Sequence, residues 1–485
     1  MAARPILTTA TLCAALAIAP IPSRGSPRSD PTTGRAVFTG ATMPSATSIE
    51  LNPAAIGIGH LPDEVYLAIT SVLDQFGIDR KQIDLAADAL VDAGHVSDTK
   101  LGTGAMLAFV WHAGERGTLG FAMRSPPPEQ FPDDPALRYF SRAGTEQRNF
   151  IASAGTSLKI SSGFYFGASL SHDNTLLHLR YSRDTALDPG RGGIDADCGG
   201  APCGLENPAA AEDYRVDVRS PWLSTDNLKV NIGVVLRLVP DVWLGLAYHN
   251  TPGFGIQSAL TGKMYVTHAP RDGGEVLRGD STVYVSFPAS VDGELRARVW
   301  DELDLHLGGR WEDLSRMQAY DVRGYGSSFA GQAIPEWQLR PRGFHDSFAL
   351  WLGVEQIDTG DRNARFGIGA FRFGGRIGLE TSATPTSRTS PLTLAPTSFT
   401  ADGGVQWRRA NWIVQLSYGL QIFAPTSVAP SAFDPRFALD CIDSGFDYAT
   451  RACEAMRNGY ATPTAAGDYT RLSHSLRLGL RYELP

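Results

Sequence analysis

Runs in which apolar and polar residues alternate recur along this chain, and the connections between them alternate in length. Period-two alternation marks a strand with one apolar face. Val291, Gly293, Leu295, Ala297 and Val299 alternate with Asp292, Glu294, Arg296 and Arg298. Near the end, Leu472, Leu476, Leu478, Leu480, Tyr482 and Leu484 alternate with Arg471, Ser473, Ser475, Arg477, Arg481 and Glu483. The pattern predicts fourteen strands: Glu64–Ile78, Thr103–His112, Gly117–Arg124, Asn149–Ile160, Gly163–Asp184, Asn227–Leu238, Val242–Asn250, Ser281–Val299, Leu303–Glu312, Phe344–Gln356, Arg365–Phe373, Phe399–Arg408, Asn411–Phe423 and Thr470–Leu484. Tight turns such as Ser161-Ser162, Pro240-Asp241 and Arg409-Ala410 join strands 2–3, 4–5, 6–7, 8–9, 10–11 and 12–13. The other connections are long, among them Thr185 to Asp226, Thr251 to Asp280, Asp313 to Gly343 and Ala424 to Tyr469. Short turns on one rim and long loops on the other mark a bacterial outer-membrane barrel. A soluble sandwich also alternates, but has no reason to segregate loop length. The expected fold is therefore all-β: a 14-stranded antiparallel transmembrane β-barrel.

Tryptophan points the same way. Trp111, Trp243, Trp300, Trp407 and Trp412 all lie beside short turns, which predicts an aromatic belt at the periplasmic interface. No apolar run is long enough for a membrane-spanning helix. The mean hydropathy of −0.13 is what alternating strands average to. A net charge of −8 argues against a nucleic-acid partner, which needs a basic face. Residues 1–19 read as a secretory signal peptide, with Arg4 before a short apolar core and cleavage as late as residue 25. Residues 20–60 read as a segment inside the lumen, and 61–485 as the barrel.

Beyond the leader, the cysteines form two close pairs, Cys198 with Cys203 and Cys441 with Cys453. In an exported chain such pairs favour disulfides; zinc is the alternative, though no histidines sit nearby. Both pairs fall in long loops, hence outside the cell. A short helix is expected after Lys81. Strand 5 changes phase between Leu170 and Leu177, which suggests a bulge. Tyr214–Arg219 and Met264–His268 are candidate strand extensions above the membrane.

Before the first strand lies a glycine-dotted stretch, Gly34-Arg35-Ala36 through Asn52-Pro53-Ala54-Ala55. Proline pushes the preceding Asn into an extended conformation, and small residues on both sides allow close packing against a wall. With Leu246-Ala247-Tyr248-His249-Asn250-Thr251-Pro252, Phe287-Pro288-Ala289-Ser290-Val291, Trp311-Glu312-Asp313 and His345-Asp346-Ser347, this stretch resembles the FadL-type outer-membrane transporters of long-chain fatty acids and aromatic hydrocarbons. Phe287 stands where that family has Leu, and the chain lacks a terminal aromatic. The resemblance implies a monomer that takes up hydrophobic small molecules passively, with outer-membrane lipid around it and no cofactor. Asn52, Pro53 and Ala54 would belong to a hatch closing the axial route. Ligand would leave sideways at the third strand, where Gly117, Gly120 and Pro126 mark a weakened wall.

No catalytic or metal motif stands out. Ser171-His172-Asp173 holds three triad residue types, but neighbours on a strand face opposite ways. Arg296, Arg298, Arg310 and Arg477 are candidate partners for a ligand carboxylate. Alternation makes pairing with Asp292, Glu294, Asp304 and Glu483 on neighbouring strands natural as well. The rival functions are a lipid hydrolase, a water-filled porin and an adhesin.

Overall fold

The computed structural model describes residues 35–484 except 60–61, 85–86, 186–205, 207, 223, 301–302, 333 and 357–369. The expected signal peptide and the pair Cys198 and Cys203 lie outside the described residues. In chain order the strands are β1 (Glu64–Asp84), β2 (Ala89–Ala113), β3 (Gly117–Ser125), β4 (Glu129–Gln130), β5 (Glu146–Ser161), β6 (Phe164–Asp184), β7 (Ala211–Arg219), β8 (Leu228–Val239), β9 (Val242–His249), β10 (Ser258–Thr267) and β11 (Val276–Val285). They continue with β12 (Ser290–Trp300), β13 (Leu303–Glu312), β14 (Ala319–Tyr325), β15 (Trp337–Pro341), β16 (Ser347–Gln356), β17 (Ala370–Glu380), β18 (Ser398–Arg409), β19 (Trp412–Phe423), β20 (Thr426–Val428) and β21 (Gly467–Glu483).

Fourteen of them close a barrel through antiparallel pairs: β1, β2, β3, β5, β6, β8, β9, β12, β13, β16, β17, β18, β19 and β21, which returns to β1. Leu67, Ile69, Leu107, Phe121, Leu246, Leu352, Leu416 and Leu478 stand exposed around this circuit, while Tyr66, Ala68, Met106 and Ala122 turn inward. An apolar outer band on a closed barrel is the surface a membrane requires, because pairing between strands satisfies the backbone without water.

A second layer rises from one strand. Residues 164–172 of β6 pair with β8 inside the barrel, and residues 176–184 pair with β7. From β7 the pairing runs on to β10, β11, β14 and β15. This outer sheet includes both expected strand extensions, and packs Leu177, Tyr181, Tyr214, Val216, Met264, Val283 and Tyr320 into its own core.

The expected bulge in β6 is absent. Odd-numbered residues stay buried along the whole strand, from Tyr165 through Ser169, Ser171 and Asp173 to Leu177, Leu179 and Tyr181. What changes is the solvent. In the membrane the apolar side faces out; above it the apolar side faces the outer sheet's core. The chemistry swaps faces while the backbone does not.

Three other expectations are corrected. The helix after Lys81 is instead the top of a long hairpin, with Lys81 opposite Asp92 and Asp84 opposite Ala89. Few residues there show a helical period, and ladder hydrogen bonds win. The eighth expected strand divides into β11 of the outer sheet and β12 of the barrel, separated around Pro288, which has no N–H to give a ladder. The eleventh is β17, running on to Glu380. Among the belt tryptophans, Trp111, Trp300 and Trp412 are exposed, but Trp243 turns inward and packs on Tyr165, at a centroid distance of 6.2 Å.

Candidate ligand path

Residues 35–58 lie almost wholly buried inside the barrel. They contain a single helical turn, α1 (Ser48–Leu51), followed by a tighter turn at Pro53–Gly57. Asn52 between them is extended, as a residue before proline should be (φ −151°). Its amide Nδ2 donates to the carbonyls of Ala41 (2.7 Å) and of Val234 in β8 (3.2 Å), and Oδ1 accepts from the Ala54 N–H (3.1 Å). The wall is shaped for this contact. A Cβ at Gly233 or Gly167 would collide with Asn52, Pro53 or Ala54. On β3, a Cβ at Gly120 would press on Ile49 and Ile56.

Polar wall residues satisfy the segment's backbone. Glu355 accepts from the Phe38 N–H (2.8 Å), Glu294 from Thr42 (3.2 Å) and Glu64 from Ala46. Ser157 donates to the Ala54 carbonyl (2.9 Å), and Arg477 to that of Val37 (2.7 Å). Arg35 pairs with Glu380, and Glu50 with Arg124 at 3.3 Å. Buried backbone groups without such partners would each cost about 1–3 kcal/mol.

The other candidate arginines meet acids of the wall. Arg296 and Arg298 approach Asp304 (3.7 and 3.2 Å), and Arg310 approaches Asp292 (3.4 Å) and Glu312 (2.8 Å). None of these three, nor Arg477, lines the inner cavity or the outer groove described next. Ser171 and Asp173 are buried on the inner face of β6, with His172 on the other face.

An inner cavity of about 280 Å³ lies above the inserted segment, between Phe76, Pro126–Pro128, Phe287, Leu314, Leu394 and Phe423. Its charged side chains are all paired, two of them with arginines outside the lining: Arg471 with Asp74 at 3.1 Å, Glu129 with Arg342 at 2.8 Å and Glu312 with Arg310 at 2.8 Å. Beside it the wall is incomplete. β3 is fully paired at Gly117 and Gly120, the latter opposite Val110 and Gly155, so the expected break at Gly120 is not there. The strand simply stops at Ser125. No described strand pairs with the edge of β2 above Ala105 on that side. Pro126, Pro127 and Pro128 lie across this gap, with Pro127 against Gly104 and Pro128 against Gly102. Prolines cannot donate to the free ladder.

Above the cavity sits an aromatic partition of Phe131, Tyr139, Phe140, Leu392, Phe433 and Tyr460. Phe140 and Phe433 meet edge to face at 5.3 Å, and Phe433 lies 5.2 Å from Tyr460. On its far side opens an outer groove of about 560 Å³. Its walls are the top of β6, β15, and two short helices, α2 (Arg436–Asp443) and α3 (Arg451–Arg457), joined by the Cys441–Cys453 disulfide.

No protein-family model matches the chain, and no curated protein matches it in sequence. Solved structures match in fold. A Pseudomonas aeruginosa FadL homologue superposes with a TM-score of 0.71 at 15% identity, covering 96% of this chain and 100% of the other. The Pseudomonas putida toluene transporter TodX gives 0.60 at 12%, covering 96% and 100%. The Ralstonia pickettii toluene transporter TbuX gives 0.56 at 16%, covering 94% and 97%. The fold is that of the FadL-type channels. Within this FadL-type fold, the outer groove and the partition left no trace in the sequence pattern. β15 is five residues long, too short to show a period, and the partition gathers residues from three separate connections.

Proposed function

We propose that this protein is a passive outer-membrane channel for hydrophobic small molecules, long-chain fatty acids or related hydrocarbons. The observation that carries this reading is the filled lumen: residues 35–58 occupy it, while apolar cavities lie in series above. Water has no axial route, whereas an apolar molecule has successive stations. The similarity in fold to a FadL homologue and to toluene transporters supports it. In this reading the ligand is caught in the outer groove, crosses the aromatic partition, enters the inner cavity and leaves sideways beneath Pro126–Pro128 into the membrane. Residues 35–58 are the hatch, with Asn52, Pro53 and Ala54 as its latch. The channel works as a monomer, and no covalent chemistry is involved.

Planar-bilayer conductance joined to uptake assays tests this. The intact protein should stay electrically closed yet deliver a labelled fatty acid or alkane to cells. Deleting residues 35–56 should raise ion conductance by opening the lumen. A wild-type protein that conducts steadily like a porin, or that delivers neither ligand, would overturn the reading.

A further inference from the structure

We propose that the outward face of the outer sheet binds a phosphorylated glycolipid of the surrounding leaflet. Arg219 and Arg278 hold its phosphates, and apolar loop tips at the base of the sheet meet its acyl chains. The proposal does not depend on the transport reading. The face continues the lipid-facing wall. Along β6 the odd-numbered residues stay buried from the barrel into the outer sheet. Leu176, His178 and Arg180 therefore point the same way as Phe166 and Leu170 of the apolar band. Pairing carries this face across the sheet. Arg180, Arg215, Tyr265 and Arg278 fall in one cross-strand row. Arg219, Thr261, Thr282 and Arg323 fall in another, and Lys263 stands between the two rows, opposite Asp217 and Asp280.

The charge on this face is unbalanced. Asp217 takes Arg180 and Arg215, Asp280 takes Lys263, and Asp321 takes Arg323. At the upper edge Asp213 takes Arg142. These acids are thus all used. Yet Arg219 has no ion pair among the described residues, and the Arg278 guanidinium rests only on the Tyr265 ring, at 5.4 Å. Arg215 lies over the same ring at 5.3 Å and directly opposite Arg180. Like charges so placed on a sheet repel unless an anion joins them. Below the cations the surface turns apolar. Trp222, Phe254 and Ile256 are among the most exposed apolar side chains of the described residues. The Trp222 ring lies 6.3 Å from that of His172, two residues above Leu170, and so stands at the upper rim of the apolar band. Phe254 and Ile256 come just before β10, whose Thr261 is opposite Arg219. An apolar base under a cationic face matches an acylated molecule with a phosphorylated head. Arginine forks onto phosphate oxygens, and the Thr261 and Thr282 hydroxyls can bond those of a sugar. A free phosphate would leave the apolar base unused.

Equilibrium binding to the full-length protein in a non-ionic detergent tests this, with rough lipopolysaccharide either intact or stripped of its phosphates. The intact glycolipid should bind about tenfold or more tighter than the stripped one, since each cation near a lipid surface adds a comparable increment. Arg219→Gln combined with Arg278→Gln should erase that difference. Neither arginine joins an ion pair, so the double variant should keep the folded barrel's gel mobility. Arg116→Gln combined with Lys159→Gln removes two cations beside the short turn after β2 and should leave the difference intact. A difference that survives the first pair, or that the second pair also erases, would overturn the proposal. So would phosphatidylglycerol micelles that bind as tightly as the glycolipid, since the face would then read charge alone. Trp222→Ser should weaken the intact glycolipid severalfold and spare its deacylated saccharide. Equal loss of both, or loss of neither, would refute the seating of the acyl chains. None of these measurements reads uptake.

Discussion

At the scale of single residues, Asn52 does the work of three bonds. It ties one part of the inserted segment to another through Ala41 and Ala54, and ties both to the wall through Val234. Asn52→Ala should leave the buried Ala41 carbonyl without this donor and the buried Ala54 N–H without its acceptor, at about 1–3 kcal/mol each. A closed barrel withstands that, while the inserted segment loses its Asn52 tie to β8. The variant should still insert and show a folded barrel's heat-dependent gel mobility, while single-channel records show flickering currents absent from the wild type. Silent traces from the folded variant would count against the latch. Asn52-Pro53 was legible in the sequence because proline's effect on its neighbour is local. The partners were not: Gly167 and Gly233 read as ordinary strand glycines until the segment is seen pressing on them.

At the scale of elements, the end of β3 is the informative feature. Composition singled out Gly117, Gly120 and Pro126: both glycines lie in paired ladder, while Pro126 stands at the edge of the gap. Gly120 makes room for Ile49 and Ile56 rather than loosening the ladder, and the gap begins where Ser125 gives way to three prolines. Cysteines at Gly102 and Pro128 should bridge that gap, since a Cβ at Gly102 would sit 3.2 Å from the Pro128 ring. Uptake should fall severalfold in the oxidised double variant and recover on reduction. Undiminished uptake with the bridge verified would place the exit elsewhere.

The pairing of β6 with β7 carries its own signature. Burial pushes the Asp217 carboxyl up, but hydrogen bonds from Arg180, His178 and Arg215 outweigh it and hold the group at about 2, below its usual 3.8. Because the folded value is depressed, the ionised acid supports the outer sheet fully above about pH 4 and loses that support as pH falls through 2. Pepsin should therefore cut the Asp217→Asn outer sheet faster than the wild type at pH 4, with the two rates converging at pH 2. Equal rates at pH 4 would show that the acid does not brace this sheet. The sequence placed β6 well but misread its phase, because periodicity reports the medium around a strand as well as its geometry.

At the scale of the whole molecule, barrel class and strand number were legible because they follow from local alternation and counting; loop lengths were legible in part, since four residues separate β1 from β2 where a long connection was expected and thirteen separate β16 from β17 where a tight turn was expected. The arrangement of charge was half legible. Alternation allowed Arg310 to face Asp292 on its neighbour, and it does. It could not reveal that Glu294 and Glu355 receive N–H groups from a segment 252 and 317 residues away in the chain, or that Glu64 receives that of Ala46. Such matches depend on closure, which no window of sequence contains.

The outer sheet also has a consequence for how the molecule is assembled. Its strands come from three separate connections, yet each joins one that precedes it: β7 on β6, β10 on β7, β11 on β10, β14 on β11 and β15 on β14. The order of pairing can thus follow the order of the chain, so no outer strand has to wait for a partner still to emerge. Only one growing edge is open at a time, and the last to add is the five-residue β15, too short to invite a strand from another molecule.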